Sequence, residues 1–402
     1  MCDRRRNLWV VGLLLSGASA LSFFDRQVLS VLAPTVTADL GMTNADYGRA
    51  VSAFTLAYCV MFAVGGRLID LLGTRIGLGL SVALWSLASA LHATARTSSQ
   101  LALFRFLLGV GEGACFPGVA RGVLESFPER QRALAMGIAT TGASAIGAVL
   151  APPVITGLAL AAGWRTAFWA TGLLGALWTL SWFPGYRAQA IAPTPAGGSG
   201  GSGPWPWERL LRLRAVWGLV LTRFLLDPVF YIYMFWIPQY LHHERAASLS
   251  EIGKLAWIPF LTLGVSSCIG GAVSDWLVRR GRPLVKARKL VMGAAAFLTP
   301  VSILALWAPN SLVAVLLLGV LLLAHGFWMT NYMALTADLF PATTVASVVG
   351  LAGMAGGLAG FTANLGTGYV VDAVGFAPVF LACGLLYPVG YGVILLSVRE
   401  PA

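Results

Sequence analysis

Residues 8–34 read LWVVGLLLSGASALSFFDRQVLSVLAP, with Asp25 and Arg26 as the only charges. About 20 predominantly apolar residues are enough to cross the hydrocarbon core of a bilayer as a helix. Backbone groups find no water there, so only helices and closed barrels can span it. The length and continuous apolarity of this run select a helix. A charge inside such a helix costs about 2.5–3.5 kcal/mol on insertion scales and usually lines an interior path. The run therefore predicts a membrane span, and its charges predict a polar interior.

Eleven further runs follow the first. The expected spans are 8–34, 47–69, 76–95, 100–122, 133–158, 164–186, 215–241, 250–276, 288–308, 312–337, 345–370 and 376–398. The composition agrees, being 57% hydrophobic and only 11% charged, whereas soluble domains carry about 25% charged residues. No cleavable signal peptide is expected, because the first run is too long and lacks an Ala-x-Ala site.

The net charge of +11 invites a nucleic-acid reading, but its distribution argues against one. With the N-terminus inside, the inner loops hold most of the cations, among them Arg4, Arg5, Arg6, Arg75, Arg130, Arg132, Arg279, Arg280 and Arg282. Arg121 falls at the inner end of span 4. Only Arg49, Arg96, Arg165, Arg245 and Lys254 fall outside. The asymmetry follows the positive-inside rule and predicts that both termini are cytoplasmic. Of the five cysteines, Cys2 is placed in the cytoplasm and Cys59, Cys115, Cys268 and Cys383 in spans, so no disulfide framework is expected.

The apolar pattern breaks at residues 187–208, RAQAIAPTPAGGSGGSGPWPWE. This composition suits a flexible tether. It divides the chain into six-helix bundles at 1–186 and 209–402. After it, WPWERLLRLR is basic and amphipathic, with Trp205 and Trp207 suited to a membrane interface.

The halves echo each other. Span 2 ends in GGRLIDLLGTR (65–75) and span 8 in GGAVSDWLVRRGR (270–282). Asp70 and Asp275 lie 205 positions apart, each after a Gly-Gly pair and before basic residues. Glycines permit close helix approach, and each carboxylate is suited to capping a neighbouring helix N-terminus. Repeated halves with a ligand site near the membrane midplane are the architecture of alternating-access carriers.

The pattern Gly66, Leu68, Asp70, Gly73, Arg75 resembles the loop signature of the major facilitator superfamily. FFDRQVLSVLAPTV (23–36), YGRAVSAFTLAYCVMFAVGGRLID (47–70), FRFLLGVGEGACFPG (104–118) and GWRTAF (163–168) resemble its anion:cation symporter family. RFLLDPVFYIYMFWIPQYL (223–241) and AHGFWMTNYMALTADLFP (324–341) with SVVGLAGMAGGLAG (347–360) resemble the hexuronate-transporter branch. The resemblance implies an all-α membrane protein with twelve transmembrane helices in two six-helix halves. It implies a proton-coupled secondary transporter that imports an organic anion, most simply a hexuronate or aldonate, by alternating access. Rival readings are a symporter for an aromatic or dicarboxylic acid, and a sensor that binds the solute without moving it.

Arg26 and Asp25 are sequence neighbours and point about 100° apart on a helix, so one can face a cavity while the other faces a neighbouring span. A guanidinium can grip a carboxylate bidentately, and the resemblance assigns Arg26 that role. Arg105 and Glu112 lie two turns apart on one face of span 4. A carboxylate inside an apolar span is a candidate proton carrier, and the resemblance places coupling on Asp25 and Glu112. Gly109, Gly111 and Gly113 thin that helix for close packing. Arg223 and Asp227 are spaced for an i,i+4 pair on span 7, with a gating or binding role as the alternative. Tyr58, Trp328, Asn331 and Asn364 offer aromatic faces and amides to sugar hydroxyls. His325 reads as a packing residue. Asp70, Arg75 and Asp275 read as gating or structural groups.

Two positions depart from the family pattern. Ser22 and Phe23 stand where Asn-Tyr is common, and Thr140, Thr141 and Ser144 stand where span 5 commonly offers an amide. Gly-x-Ser-x-Gly at 197–201 lies in a loop without a strand–helix elbow, and GVGEGA (109–114) has no preceding strand. The chain is therefore not read as an enzyme, and neither cofactor nor metal is expected. The expected partners are a small organic anion, protons and the lipid bilayer, with no nucleic acid. A monomer in a bacterial inner membrane is expected.

Overall fold

The computed structural model describes residues 2–186 and 205–398. Most of the expected tether, together with Arg187 and Arg399, lies outside the described residues. Every regular element among the described residues is helical. Twelve long helical stretches follow in chain order. Spans 1, 2 and 3 are Cys2–Asp39 and the two arms of Asn44–His92. Spans 4 to 6 are Ser98–Ser126, Arg130–Ala162 and Trp164–Gly185. Spans 7 to 9 are Arg214–Arg245, Leu249–Arg279 and Leu284–Trp307. Spans 10 to 12 are Ser311–Leu339, Ala342–Val374 and Ala377–Ser397.

Ten segments of the described residues are long and apolar enough to cross a membrane. The other two expected runs are still helical. Residues 47–69 merge into Asn44–His92, and Trp164–Gly185 carries four tryptophans and Arg165 that lower its apolarity.

Local chemistry sets the boundaries. Thr43 and Asp46 form a reciprocal capping box at the start of Asn44–His92. Thr97, Ser248 and Asn310 cap the helices that follow them. Gly73 (φ 75°) breaks the 49-residue stretch into spans 2 and 3, and Gly281 (φ 85°) separates spans 8 and 9. Both sit in the left-handed region that glycine enters without a Cβ penalty. The echo between 65–75 and 270–282 therefore includes the backbone turn.

The chain forms two compact units. One holds the first six spans together with Phe235–Trp257, and the other holds residues 205–234 and 258–398. This differs from the expected grouping of 209–402. The reason lies in the far half of span 7. Tyr47 Oη donates to the Phe235 carbonyl at 2.6 Å, and Ser30 Oγ donates to the same oxygen at 3.2 Å. The Trp236 ring meets Tyr47 edge-on at 5.0 Å. These contacts fasten the end of span 7 to spans 1 and 2.

Small residues control packing within the first unit. A Cβ on Gly109 would lie 2.5 Å from the Phe54 carbonyl, on Gly111 2.6 Å from Trp85 Cβ, and on Gly113 2.4 Å from Met61 Cβ. Three alternate glycines thus let span 4 press against spans 2 and 3, as the sequence predicts. Span 4 then breaks, its first helix ending at Glu112 and its second starting at Cys115. Span 5 carries a π-turn at Ile138–Gly142, which includes Thr140 and Thr141. Such turns recur at functional sites.

Candidate functional site

The break in span 4 sets Glu112 against span 1. Arg26 Nε donates to Glu112 Oε2 at 2.7 Å, and Ser22 Oγ donates to the same oxygen at 2.8 Å. Arg26 Nη2 reaches Ser22 Oγ at 3.3 Å, one helical turn away. Arg26 is 3% exposed and Glu112 is fully buried. The guanidinium carbon lies 4.3 Å from the Tyr58 ring centre, 4.7 Å from Phe23 and 5.4 Å from Phe54. The aromatic faces take up a cation through the ring quadrupole. Phe23, the departure from the family pattern, contributes a face here and no hydroxyl.

Asp25 faces elsewhere, as the 100° offset predicts. Its Oδ1 accepts from Ser89 Oγ at 2.9 Å, and Ser89 is 2.8 Å from Thr171 Oγ1. Its Oδ2 has no hydrogen-bond partner. Asp25 and Arg26 form no ion pair with each other. Spans 3 and 6 hold the aspartate, while span 4 holds the arginine.

Arg105 shares the face of span 4 with Glu112, but the pair that forms is Arg26–Glu112. Arg105 is 0% exposed, and Nε, Nη1 and Nη2 all lack hydrogen-bond partners. Asp25, Glu112, Arg26 and Tyr47 lie within Coulombic range of it. A buried charge normally gathers partners, because leaving it uncompensated costs several kcal/mol. Two arginines and two carboxylates therefore share one buried cluster with Tyr47, with Arg26 and Glu112 paired and the Arg105 guanidinium without a hydrogen-bond partner.

The second unit has its own buried pair. Arg223 Nε and Asp227 Oδ2 lie 2.8 Å apart with the i,i+4 spacing read from the sequence. Gly356 lets span 11 approach so closely that a Cβ there would overlap the Asp227 carboxylate. His325 Nδ1 bonds with Tyr387 Oη, and its ring stacks on Phe230 at 4.9 Å. This is the packing arrangement expected for His325.

The remaining predicted residues are scattered. Trp328 is buried and meets Tyr387 edge-on at 5.6 Å. Asn331 Nδ2 donates to the Gly270 and Phe327 carbonyls at 3.0 and 2.9 Å, which fastens span 10 to span 8. Asn364 Nδ2 donates to the Gly360 carbonyl on its own helix at 2.8 Å.

Asp70 and Asp275 meet arginine side chains instead of the expected helix N-termini. Asp70 pairs with Arg121 at 2.7 Å, and Arg121 also pairs with Glu125 at 2.7 Å. Asp275 pairs with Arg288 at 2.7 Å, and Arg288 also reaches Asp338 at 3.3 Å. A guanidinium fork can serve two carboxylates at once. Arg75 donates instead to the Phe183 carbonyl at 2.8 Å.

Sequence reasoning missed several members of these clusters. Ser89 and Thr171 give no signal among many hydroxyls in spans. His92 is buried, bonded through Nδ1 to the Ala88 carbonyl at 2.6 Å and stacked on Phe168 at 5.0 Å. A histidine at the end of an apolar run was the available signal. Arg288 stands near the start of span 9 beside Lys286 and Lys289, and nothing in the sequence marks it as the partner of Asp275 and Asp338.

Residues 15–363 match the sequence model of the Major Facilitator Superfamily. The chain is 29% identical to the hexuronate transporter of Escherichia coli (strain K12), over 92% of this chain and 89% of that protein. It is 30% identical to the probable L-galactonate transporter of the same strain, over 97% and 89%. It is also 30% identical to the galacturonate transporter of Dickeya chrysanthemi, over 72% and 88%. A bacterial homolog of the human lysosomal transporter Spinster, solved in an inward-facing and unoccupied conformation, shares the fold. Its TM-score is 0.72 at 18% identity, with 99% of each chain covered. With all-helical spans, an ion-paired interior and a family match across most of its length, the chain belongs to the Major Facilitator Superfamily, in the hexuronate-transporter-like branch, and is a multi-pass membrane transporter rather than an enzyme.

Proposed function

We propose that this protein is a proton-coupled importer of a monovalent sugar acid, a hexuronate or aldonate, working by alternating access. The observation that carries the reading is the buried Arg105 guanidinium without hydrogen-bond partners, in one cluster with Arg26. Two buried arginines against two carboxylates balance to zero, so an added anion is matched only when one carboxylate takes up a proton. The relatives' names supply the sugar-acid class.

The Arg26–Glu112 pair supports a coupling scheme. A substrate carboxylate that takes Arg26 displaces Glu112. The displaced glutamate is then a buried charge without its cation, and a proton neutralises it at far lower cost. Binding of anion and proton are thereby linked. Asp25, with one bare oxygen, is the second proton carrier in this scheme. Tyr58 holds the cation from its ring face, while Trp328, Asn331 and Asn364 stand as candidates for hydroxyl contacts. The Lys/Arg asymmetry of the loops supports cytoplasmic termini in a bacterial inner membrane, and the working unit is taken as a monomer.

The test is uptake of labelled D-glucuronate and D-galactonate into proteoliposomes under an imposed inward proton gradient. Accumulation that collapses with a protonophore is expected. Binding without counterflow of label would identify a sensor, and accumulation of glucarate in preference to both would favour the dicarboxylate reading.

A further inference from the structure

A short basic strap, residues 205–213, precedes span 7. Its inner side is fixed. The Trp205 backbone N–H donates to Thr344 Oγ1 at 3.2 Å, and its ring meets Phe340 edge-on at 6.2 Å. Leu210, within the helix Trp207–Arg212, is buried. These contacts hold the strap against the ends of spans 10 and 11.

Its outer side is apolar and open. Trp207, Leu211 and Trp217 are all exposed, and Trp217 Nε1 donates to the Leu211 carbonyl at 2.7 Å. Trp217, Leu221 and Phe224 follow at i, i+4 and i+7, all exposed. The apolar face of the strap therefore continues down span 7. At its rim stand Arg209, Arg212 and Arg214, all exposed. Among the described residues, none of the three has a carboxylate within ion-pair distance. Arg209 lies over the Trp205 ring at 3.8 Å, which leaves its edge free to donate.

We propose that residues 205–217 form a binding site for anionic glycerophospholipid. Arg209, Arg212 and Arg214 hold the headgroup phosphate, and the acyl chains lie along Trp207, Leu211 and Trp217. Guanidinium groups match phosphate oxygens in geometry as well as charge. Tryptophan at the rim of an apolar face belongs at headgroup depth. A free inorganic anion has no use for the exposed indoles, so the apolar continuation favours lipid over phosphate alone.

Native mass spectrometry of the detergent-solubilised full chain, titrated with dioleoylphosphatidylglycerol or dioleoylphosphatidylcholine, tests the site. Each basic side chain near an anionic surface contributes about fivefold. The variant Arg209→Gln/Arg212→Gln/Arg214→Gln should lose at least about tenfold in phosphatidylglycerol retention. Arg279→Gln/Arg280→Gln/Arg282→Gln, with the same charge loss elsewhere, should keep it. Equal retention of both lipids, no loss in the first variant, or equal loss in the two variants would overturn the proposal. A second measurement needs no mutation. Hydrogen exchange of 205–217 should slow in phosphatidylglycerol nanodiscs relative to phosphatidylcholine ones. Unchanged exchange, or equal slowing by inorganic phosphate in phosphatidylcholine, would also overturn it.

Discussion

Arg26 Nε lies 2.7 Å from Glu112 Oε2, across 86 residues of sequence, with both side chains buried. Breaking such a pair by removing one partner costs about 3–5 kcal/mol. A ligand that displaces Glu112 must therefore replace it with an equal charge. On this account the pair is both the substrate grip and the coupling element.

Arg26→Ala should abolish anion binding, and Arg26→Lys should restore little of it, because an ammonium lacks the fork that holds a carboxylate. Equilibrium binding of labelled glucuronate to purified protein measures this. Parent-level affinity in Arg26→Ala is the outcome that removes Arg26 from the site.

Arg105→Met should act in opposite directions on stability and binding. It removes a buried cation without hydrogen-bond partners and replaces it with an apolar chain of similar reach. A buried cation without hydrogen-bond partners carries a desolvation penalty of several kcal/mol that is not recovered, and the substitution removes it. The melting temperature should rise while anion affinity falls at least tenfold. A lower melting temperature would mean that Arg105 has structural partners essential to the fold.

Gly147→Ala should destabilise the first unit, because its Cβ would come 2.1 Å from the Ala20 carbonyl on span 1. Overpacking of this kind costs about 1–3 kcal/mol. Gly137→Ala meets nothing within 4 Å and should be neutral or stabilising by about 0.5–1 kcal/mol. Thermal unfolding of the two variants in detergent compares them directly, and equal effects would contradict the packing described for spans 1 and 5.

Asp70→Asn should shift the conformational balance without ending binding. Asp70 is 61% exposed, so its pair with Arg121 is worth no more than about 1 kcal/mol. A shift of about two- to fivefold in cysteine labelling near the ends of spans 2 and 4 is expected. A binding defect as deep as that of Arg26→Ala would show that this pair does more than bias states.

The spans and their charges were legible because membrane insertion writes a long apolar run directly into the sequence. The repeat at Asp70 and Asp275 was legible as well, but not the turns that Gly73 and Gly281 make in the backbone. Which charge pairs with which was not. Arg105 and Glu112 share a helix face, yet Glu112 meets Arg26 because span 4 ends its first helix there and Gly113 lets it press against Met61. The grouping of Phe235–Trp257 with the first unit was hidden for a similar reason. It rests on contacts between residues far apart in sequence, among them the Phe235 carbonyl accepting from Tyr47 and Ser30 and the Trp236 ring against Tyr47. Local periodicity carries no information about such contacts.

Glu112→Gln should lose uphill accumulation while keeping exchange of label across the membrane. An amide cannot take up the proton that a displaced carboxylate needs. Affinity in the parent protein should fall as pH rises, because deprotonated Glu112 competes for Arg26, and in Glu112→Gln it should be flat. Parent-like accumulation by the variant in proteoliposomes would transfer the coupling role to another group.

The competition between substrate and Glu112 for Arg26 is tested most directly by proton uptake on binding. Purified protein in weakly buffered detergent solution near neutral pH is mixed with saturating glucuronate, and the pH change is recorded. Uptake of about one proton per anion bound is expected, absent in Glu112→Gln. Tight binding of the anion by the parent protein with no proton uptake would contradict it.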